Sequence, residues 1–230
     1  MKKIALACLF ILVAASANAG VISDIQMGMV EEGTLQTPCD AVVTTVTYNG
    51  IWIAEEPYGA YNGIWVYMGS DEPIELVPGD VVCICGEYKE YYDLSEIDIV
   101  SAGLYGSVVK SGTQAVPTPS FVTALELATD GEPWESCAIT IVDGMEVVEA
   151  PSSYGEWVAD ALDGTPVMFD DVFYDADTVM LGDCYNYATG IYTYTFGDFK
   201  LLPYVNGIDV TECGVDTEDT TLSSVKALYR

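Results

Sequence analysis

The chain has 230 residues, with 36 Asp and Glu residues against 7 Lys and Arg residues, and no histidine. The missing histidine excludes a Ser-His-Asp or Cys-His nucleophile, a histidine general base and any imidazole metal ligand. The formal charge of −29 disfavours phosphate backbones and anionic bilayers as partners, because Lys and Arg provide most of the affinity for both. The length allows two domains of about 100 residues, each with its own core.

Residues 1–19 have the layout of a secretory signal peptide. Lys2 and Lys3 precede the apolar run 4–15, and Ala17-Asn18-Ala19 is a small-x-small site that predicts cleavage after Ala19. The apolar run is too short to span a bilayer. We therefore expect a secreted protein without a membrane span, extracellular or on the cell surface, with the periplasm as the alternative.

The cysteines agree with export. An even number of cysteines remains once Cys8 is removed with the signal peptide, and this pattern in an exported chain predicts up to three disulfides. The alternative is a zinc or iron–sulfur site, which the lack of any C-x-x-C pair and of histidine disfavours. The predicted disulfide cysteines are Cys39, Cys83, Cys85, Cys137, Cys184 and Cys213.

Short runs of alternating apolar and polar residues indicate β-strands, and helical periodicity is almost absent. Matching motifs lie about 100 residues apart: Gly50-Ile51-Trp52 matches Gly155-Glu156-Trp157, and Gly79-Asp80 matches Gly182-Asp183. One unit therefore occurs twice. The predicted strands are 42–48, 51–54, 64–68 and 81–92 in the first half and 138–142, 156–160, 167–169 and 185–194 in the second.

The repeat predicts two domains, 20–112 and 121–212. The linker 113–120 is polar and contains two prolines, as expected for a connection. The tail 213–230 is acidic and rich in Thr, and its last nine residues could form one short amphipathic helix. It resembles short C-terminal tails of some exported bacterial proteins, in which Trp usually stands at the place of Leu222. A sorting or docking role is one reading, and a frayed terminus without a role is the other.

Several segments resemble OB-fold modules of secreted bacterial nucleases and related multidomain surface proteins. Residues 77–82 and 86–94 resemble the fourth strand of the module, and 63–67 resembles its third strand. Residues 132–135, 154–157 and 190–201 resemble the same module in the second half. The resemblance implies an all-β chain with two tandem OB-fold-like five-stranded barrels after the signal peptide, followed by the short tail. In such proteins a separate catalytic domain usually accompanies the module, and none fits in this length.

The resemblance also implies a disulfide pattern, because an OB barrel pairs its first strand with its fourth. The implied pairs are Cys39–Cys83 and Cys137–Cys184, with Cys85–Cys213 as the third. In the alternative pattern, Cys39 pairs with Cys85 and leaves Cys83 for Cys213. A Cys83–Cys85 bond is excluded, since side chains two residues apart on an extended strand are too far from each other.

Aromatic residues offer a stacking face of the kind that OB folds use for bases or sugars. Period-two placement predicts that Trp52 and Trp65 point into the barrel instead. Tyr58 and Tyr61 lie in a loop containing Pro and Gly, where exposed rings are expected. The predicted ligand-binding residues are Tyr58, Tyr61, Tyr91 and Tyr92.

Acidic residues crowd one loop of the second half. Their hard oxygen ligands suit Ca²⁺. The alternative is a solvated acidic loop, which the lack of an Asp-x-Asp-x-Asp-Gly motif favours. We expect no resident cofactor, and the candidate Ca²⁺ ligands are Asp170, Asp171, Asp175 and Asp177.

Only Lys89, Lys110 and Lys200 are basic between residues 20 and 214, too few for a groove that tracks phosphates. The sequence therefore predicts a secreted, disulfide-bonded, non-enzymatic binding or structural protein of the extracellular space. Its expected partner is a second copy of itself, as an oligomer or filament, or an extracellular protein or glycan. The alternatives are a nucleic-acid-binding accessory of a secreted nuclease system, an oligosaccharide-binding module and a metal-dependent hydrolase.

Overall fold

The computed structural model describes residues 20–70 and 73–211, which form two β-barrels in succession. The first half contains α1 (Val21–Gln26), β1 (Leu35–Gln36), β2 (Ala41–Val46), β3 (Gly50–Ala54), β4 (Gly63–Tyr67), β5 (Asp80–Tyr91), β6 (Leu94–Asp98) and β7 (Ser107–Thr113). The second half contains β8 (Ser120–Val122), α2 (Ala124–Thr129), β9 (Ala138–Ile141), β10 (Met145–Glu149), β11 (Trp157–Ala161), β12 (Pro166–Phe169), β13 (Cys184–Thr195) and β14 (Asp198–Thr211).

Both barrels close with the same strand order. In barrel 1, β2, β3 and β4 form an antiparallel meander, β4 pairs in parallel with β6, and β5 pairs with both β6 and β2. In barrel 2, β10, β11 and β12 take the places of the meander, and β14 and β13 close the sheet in the same way. This is the OB-fold arrangement. The predicted all-β fold with two OB-fold-like five-stranded barrels is confirmed.

Alternation of side chains builds each core. Along β5 the buried and half-buried residues alternate from Asp80 to Lys89, because successive side chains point to opposite faces of a strand. Ile51, Ile53 and Ile64 fill barrel 1, while Trp157 and Phe169 stack in barrel 2 with ring centroids 5.2 Å apart. Burying each such side chain contributes about 1.5–3 kcal/mol to folding.

Two helices were not predicted, and each precedes the first strand of its barrel. Helix α1 inserts Ile22 and Ile25 into the core of barrel 1. Helix α2 begins with a capping box between Thr123 and Glu126 and inserts Leu127 into barrel 2. Each helix has six residues, which is too short for a helical period to show in the sequence.

The predicted match between Trp52 and Trp157 is wrong by one residue. Trp157 pairs with Phe169 inside barrel 2, whereas Trp52 pairs with Trp65. The residue of barrel 1 at the inward position is Ile51, which pairs with Val66. A shift of one residue reverses the face to which a strand side chain points, so Trp52 and Trp65 point out of their barrel. The prediction that they point into it is wrong.

The structure contains the Cys39–Cys83 disulfide, which ties the segment entering β2 to β5. The implied Cys137–Cys184 bridge is not formed. Cys137 is a buried free thiol whose Sγ lies 3.2 Å from the Gly59 carbonyl oxygen, while Cys184 is disulfide-bonded. Cys85 is a half-buried free thiol, so neither the implied Cys85–Cys213 pair nor the alternative Cys39–Cys85 pair is formed. Cys213, like the signal peptide and the tail 213–230, lies outside the described residues.

The two barrels pack tightly against each other. A side chain at Gly63 would overlap the Ser136 carbonyl oxygen, so this contact requires glycine. Ser136 itself has a φ of 59°, in the left-handed region, and the Tyr61 N–H donates to the Pro133 carbonyl at 2.6 Å. We call this contact surface the seam.

A buried carboxyl group lies in the seam. Glu135 of barrel 2 is 1% exposed, and its Oε1 accepts a hydrogen bond from the Ser95 N–H of barrel 1 at 3.0 Å. Desolvation is the main cause that raises the pKa of Glu135 to about 8, and the neighbouring Glu132 and Glu90 add to it. The Oε2 atom has no partner among the described residues, and neither does the buried Gln26 Oε1 atom.

Glu135→Gln replaces this carboxyl group with a neutral amide of the same shape. Because the folded-state pKa lies above the ordinary value of 4.5, the stability that Glu135 contributes falls as the pH rises from about 4.5 to about 8. We expect the unfolding free energy of the variant to fall less over this range than that of the wild type, by up to about 5 kcal/mol. Urea unfolding at several pH values measures this difference. The exposed control Glu31→Gln keeps the wild-type slope, and equal slopes for Glu135→Gln would contradict the assignment.

Candidate ligand groove between the barrels

An open groove of about 1170 Å³ runs between the barrels. Its first wall is the outer face of β3 and β4 with the β2–β3 turn and the β5–β6 hairpin. The second wall comes from barrel 2, through the loop after β12 and the end of β13. Ligand pockets typically have about 300–1,000 Å³, so the groove suits an extended ligand.

Aromatic side chains form the floor and the rim of the groove. Trp52 and Trp65 are 5% and 7% exposed and lie with their ring centroids 4.2 Å apart. Phe173 of barrel 2 contacts Trp52 edge to face at 5.9 Å. Tyr48 and Tyr91, with the Phe196 ring opposite them, stand exposed at the rim.

Three polar side-chain atoms in the groove walls have no hydrogen-bond partner within residues 20–70 and 73–211. They are Trp52 Nε1, Thr193 Oγ1 and Thr195 Oγ1, one donor and two hydroxyl groups that both donate and accept. Buried polar groups usually have partners. All three atoms are buried in the groove walls beneath their surface.

Barrel 1 contributes two acids and a lysine to the groove. Lys89 Nζ lies 2.8 Å from Asp98, and Ser101 donates to the same carboxylate from its backbone and its hydroxyl group. Although burial acts against it, these contacts lower the pKa of Asp98. Desolvation is the main cause that raises the pKa of Glu96 to about 7; the charge of Asp98 adds to this shift, and Lys89 acts against it. Glu96 therefore holds its proton to a higher pH than an ordinary glutamate, and in that form it can donate a hydrogen bond.

The opposite wall contains a buried lysine. Lys200 is 1% exposed, contacts the Glu156 carboxylate, and lies 3.8 Å from Asp170 Oδ2. Its Nζ also lies 5.5 Å from the centre of the Phe196 ring. Desolvation raises the pKa of Asp170, although Lys200 acts against this shift.

Every lysine of the described residues is already paired with acids. Besides Lys89 and Lys200, the described residues include Lys110 on β7, whose Nζ lies 2.7 Å from Asp80 on the neighbouring strand β5. Phosphate binding would therefore have to break an existing ion pair in each case.

Of the predicted ligand residues, only Tyr91 lines the groove. Tyr92 packs edge to face against Tyr91 with a centroid distance of 4.8 Å. Tyr58 and Tyr61 lie elsewhere, in the β3–β4 loop, where the Tyr58 hydroxyl group accepts a hydrogen bond from Gln114 at 2.5 Å. Tyr61 borders a smaller depression beside α1.

The four predicted metal ligands are divided in the structure. Asp170 and Asp171 line the groove, whereas Asp175 caps the turn Ala176–Thr178 by accepting from the Asp177 N–H at 3.2 Å. Within the described residues, no group of three or more Asp, Glu or Cys side chains is arranged to hold a metal ion.

The tryptophans of the floor were missed as site residues, although a signal for them exists. Each stands between two β-branched residues, in Ile51-Trp52-Ile53 and Ile64-Trp65-Val66. Because the aliphatic neighbours fill the barrel, alternation directs each tryptophan to the outer face.

No family model matches the chain, and no curated protein matches it either. Two solved structures are similar to it in outline. One is described as "Crystal structure of the tetrameric p202 HIN2", with 11% identity, a TM-score of 0.35, and coverage of 79% of this chain and 94% of that chain. The other is described as "Structural mimicry for functional antagonism", with 13% identity, a TM-score of 0.36, and coverage of 80% and 94%. Scores this low establish neither fold nor function, and the fold assignment rests on the strand order. Within the described residues, no helix is long and apolar enough to cross a membrane.

Thr193→Val tests whether the groove holds unpaired hydroxyl groups. The change removes a buried hydroxyl group without a partner and keeps the side-chain shape, so we expect the unfolding free energy to rise by about 1 kcal/mol. Thr189→Val is the matched control on the same strand, because the Thr189 hydroxyl group bonds that of Thr140 at 2.9 Å. The control is expected to lose stability in the same urea titration. A loss of stability in Thr193→Val would contradict the assignment.

Proposed function

We propose that this chain is a secreted, non-enzymatic binding protein whose groove holds a segment of a neutral oligosaccharide. The observation that carries the proposal is the position of the groove on the outer face of β3 and β4. These are the second and third strands of the OB fold, and OB folds bind oligonucleotides and oligosaccharides on this face. Tyr48 and Tyr91 at its rim offer flat apolar surfaces for sugar rings. The Cys39–Cys83 disulfide supports an oxidising compartment.

Charge favours a sugar over a nucleic acid. The three lysines of the described residues are ion-paired, and the groove carries Glu96, Asp98, Asp170 and Asp171. A phosphate backbone would meet repulsion from these carboxylates. A neutral ligand with many hydroxyl groups avoids this repulsion.

The carboxylates of the groove favour binding over hydrolysis. A glycosidase needs one protonated acid and one free carboxylate on either side of the scissile bond. Glu96 has the pKa of an acid catalyst, but its neighbour Asp98 is already occupied by Lys89 and Ser101. Across the groove, Asp170 lies beside the ammonium group of Lys200.

Tyr91→Ala tests the oligosaccharide proposal. A glycan array identifies a neutral ligand, and titration calorimetry then compares its affinity for the wild type and the variant. Loss of one stacking ring at the rim is expected to weaken binding about tenfold, or about 1.4 kcal/mol. Tyr154→Ala is the control, since Tyr154 is 82% exposed and does not line the groove.

Two results would overturn the oligosaccharide proposal. One is unchanged affinity in Tyr91→Ala. The other is the absence of glycan binding together with retardation of oligonucleotides in a gel shift at low salt, which would support the nucleic-acid alternative instead.

We also propose that the chain self-associates through β7. This strand pairs with β5 on one side, and on its other side no strand of the described chain is present. Natural edge strands often carry charges that prevent pairing. Strand β7 contains no acid, its single charge Lys110 is paired with Asp80, and Val109 is 58% exposed. A second copy can add its own β7 to this edge.

Val109→Asp places a charge on the edge and is expected to shift the molecule toward the monomer. Sedimentation velocity over a range of concentrations measures the distribution. Val148→Asp is the control, because Val148 is 41% exposed on the other barrel. A wild-type protein that stays monomeric at every concentration would contradict self-association and leave the groove proposal untouched.

A further inference from the structure

A buried carboxylate lies directly beside Gly20. Glu55, the residue that follows β3, is 7% exposed, and its Oε2 accepts a hydrogen bond from the Ile22 N–H at 3.0 Å. A side chain at position 20 would overlap the same carboxylate, so only glycine fits this close to Glu55.

Among residues 20–70 and 73–211, no cation balances the charge of Glu55. The lysines of the described residues pair with other acids, and the shallow pocket around Glu55, of about 640 Å³, adds Asp24, Asp40 and Glu56. The remaining titratable group facing this pocket is Tyr58. Desolvation raises the pKa of Glu55, the Ile22 N–H acts against the shift, and Asp24 adds to it. A buried carboxylate with one hydrogen bond and several acidic neighbours is destabilising unless a positive charge arrives.

Cleavage of the signal peptide would supply that charge. Hydrolysis after Ala19 breaks the Ala19–Gly20 peptide bond; water gives its hydroxyl group to the Ala19 carbonyl, and the Gly20 nitrogen leaves as an amine that takes up protons. We propose that the new α-ammonium group of Gly20 pairs with Glu55 and fastens α1 to barrel 1. The proposal depends on the predicted cleavage site and is independent of the groove.

Helix α1 links this pair to the rest of the fold. The Gly20 carbonyl accepts from the Asp24 N–H at 3.2 Å and from the Ser23 hydroxyl group at 2.8 Å, so Gly20 is held at the start of the helix. At the other end, Gln26 Nε2 donates to the Gly63 carbonyl at 2.7 Å, beside the seam. In the uncleaved chain the Gly20 nitrogen is a neutral amide, and Glu55 keeps its unbalanced charge. The mature chain therefore gains stability only after processing.

The first experiment uses the exported protein. Intact mass and N-terminal sequencing are expected to show a chain that begins at Gly20. The pH dependence of α-amine acylation by acetic anhydride then measures the pKa of that amine. We expect a value above the ordinary range of about 7.7–8.0 in the wild type, and a value within that range in Glu55→Gln. Glu56→Gln, which removes a neighbouring exposed acid, keeps the raised value.

The second experiment moves the amine. One serine inserted between Ala19 and Gly20 leaves the cleavage motif intact and displaces the ammonium group by one residue. We expect the unfolding equilibrium constant to rise about tenfold at pH 6 in the Glu55 background and to stay unchanged in the Glu55→Gln background. At pH 6 the amine carries its proton, and the contribution of the pair is lost as the pH rises through the raised pKa of the amine. It is also lost at low pH, where Glu55 itself is protonated.

Three results would overturn the proposal: a mature chain that begins at another residue, an α-amine with an ordinary pKa in the wild type, or an insertion that costs the same in both backgrounds. None of these results affects glycan binding at Tyr91.

Discussion

The contact of Trp52 and Trp65 with barrel 2 determines most features of this molecule. In a free OB barrel the outer faces of strands two and three meet solvent. Here Trp52 and Trp65, on the outer faces of β3 and β4, pack together with Leu94 against Ile191 and Leu202 of barrel 2. Strands β3 and β4 are therefore buried on both faces. Trp52 and Trp65 also form the floor of the groove. The close approach of Gly63 to Ser136 holds the two barrels together.

The sequence predicts the strands and their order well, because alternation is a local property of each strand. The repeat and the resemblance add the closure of the barrels. The contact between barrels is different, since it joins residues that are distant in the sequence, such as Ser95 and Glu135 or Trp52 and Phe173, and it has no period of its own. For this reason Tyr91 was found as a site residue, while Trp52, Trp65 and the threonines of β13 were not.

Cysteine pairing was also predicted only in part. The Cys39–Cys83 bond follows from the adjacency of the first and fourth strands, which the fold supplies. The same rule fails for Cys137, because the chain around it turns into the seam at Ser136, with its positive φ, and encloses the thiol there. A local departure of the backbone thus overrides a rule that holds for the ideal barrel.

Enclosure gives Cys137 a further property. Burial raises the pKa of its thiol to about 12, and oxidants react with the thiolate. Because Cys137 also belongs to the core of barrel 2, that core and the seam together shield its sulfur from oxidants. Reaction at this atom therefore requires a local opening of the chain around Cys137.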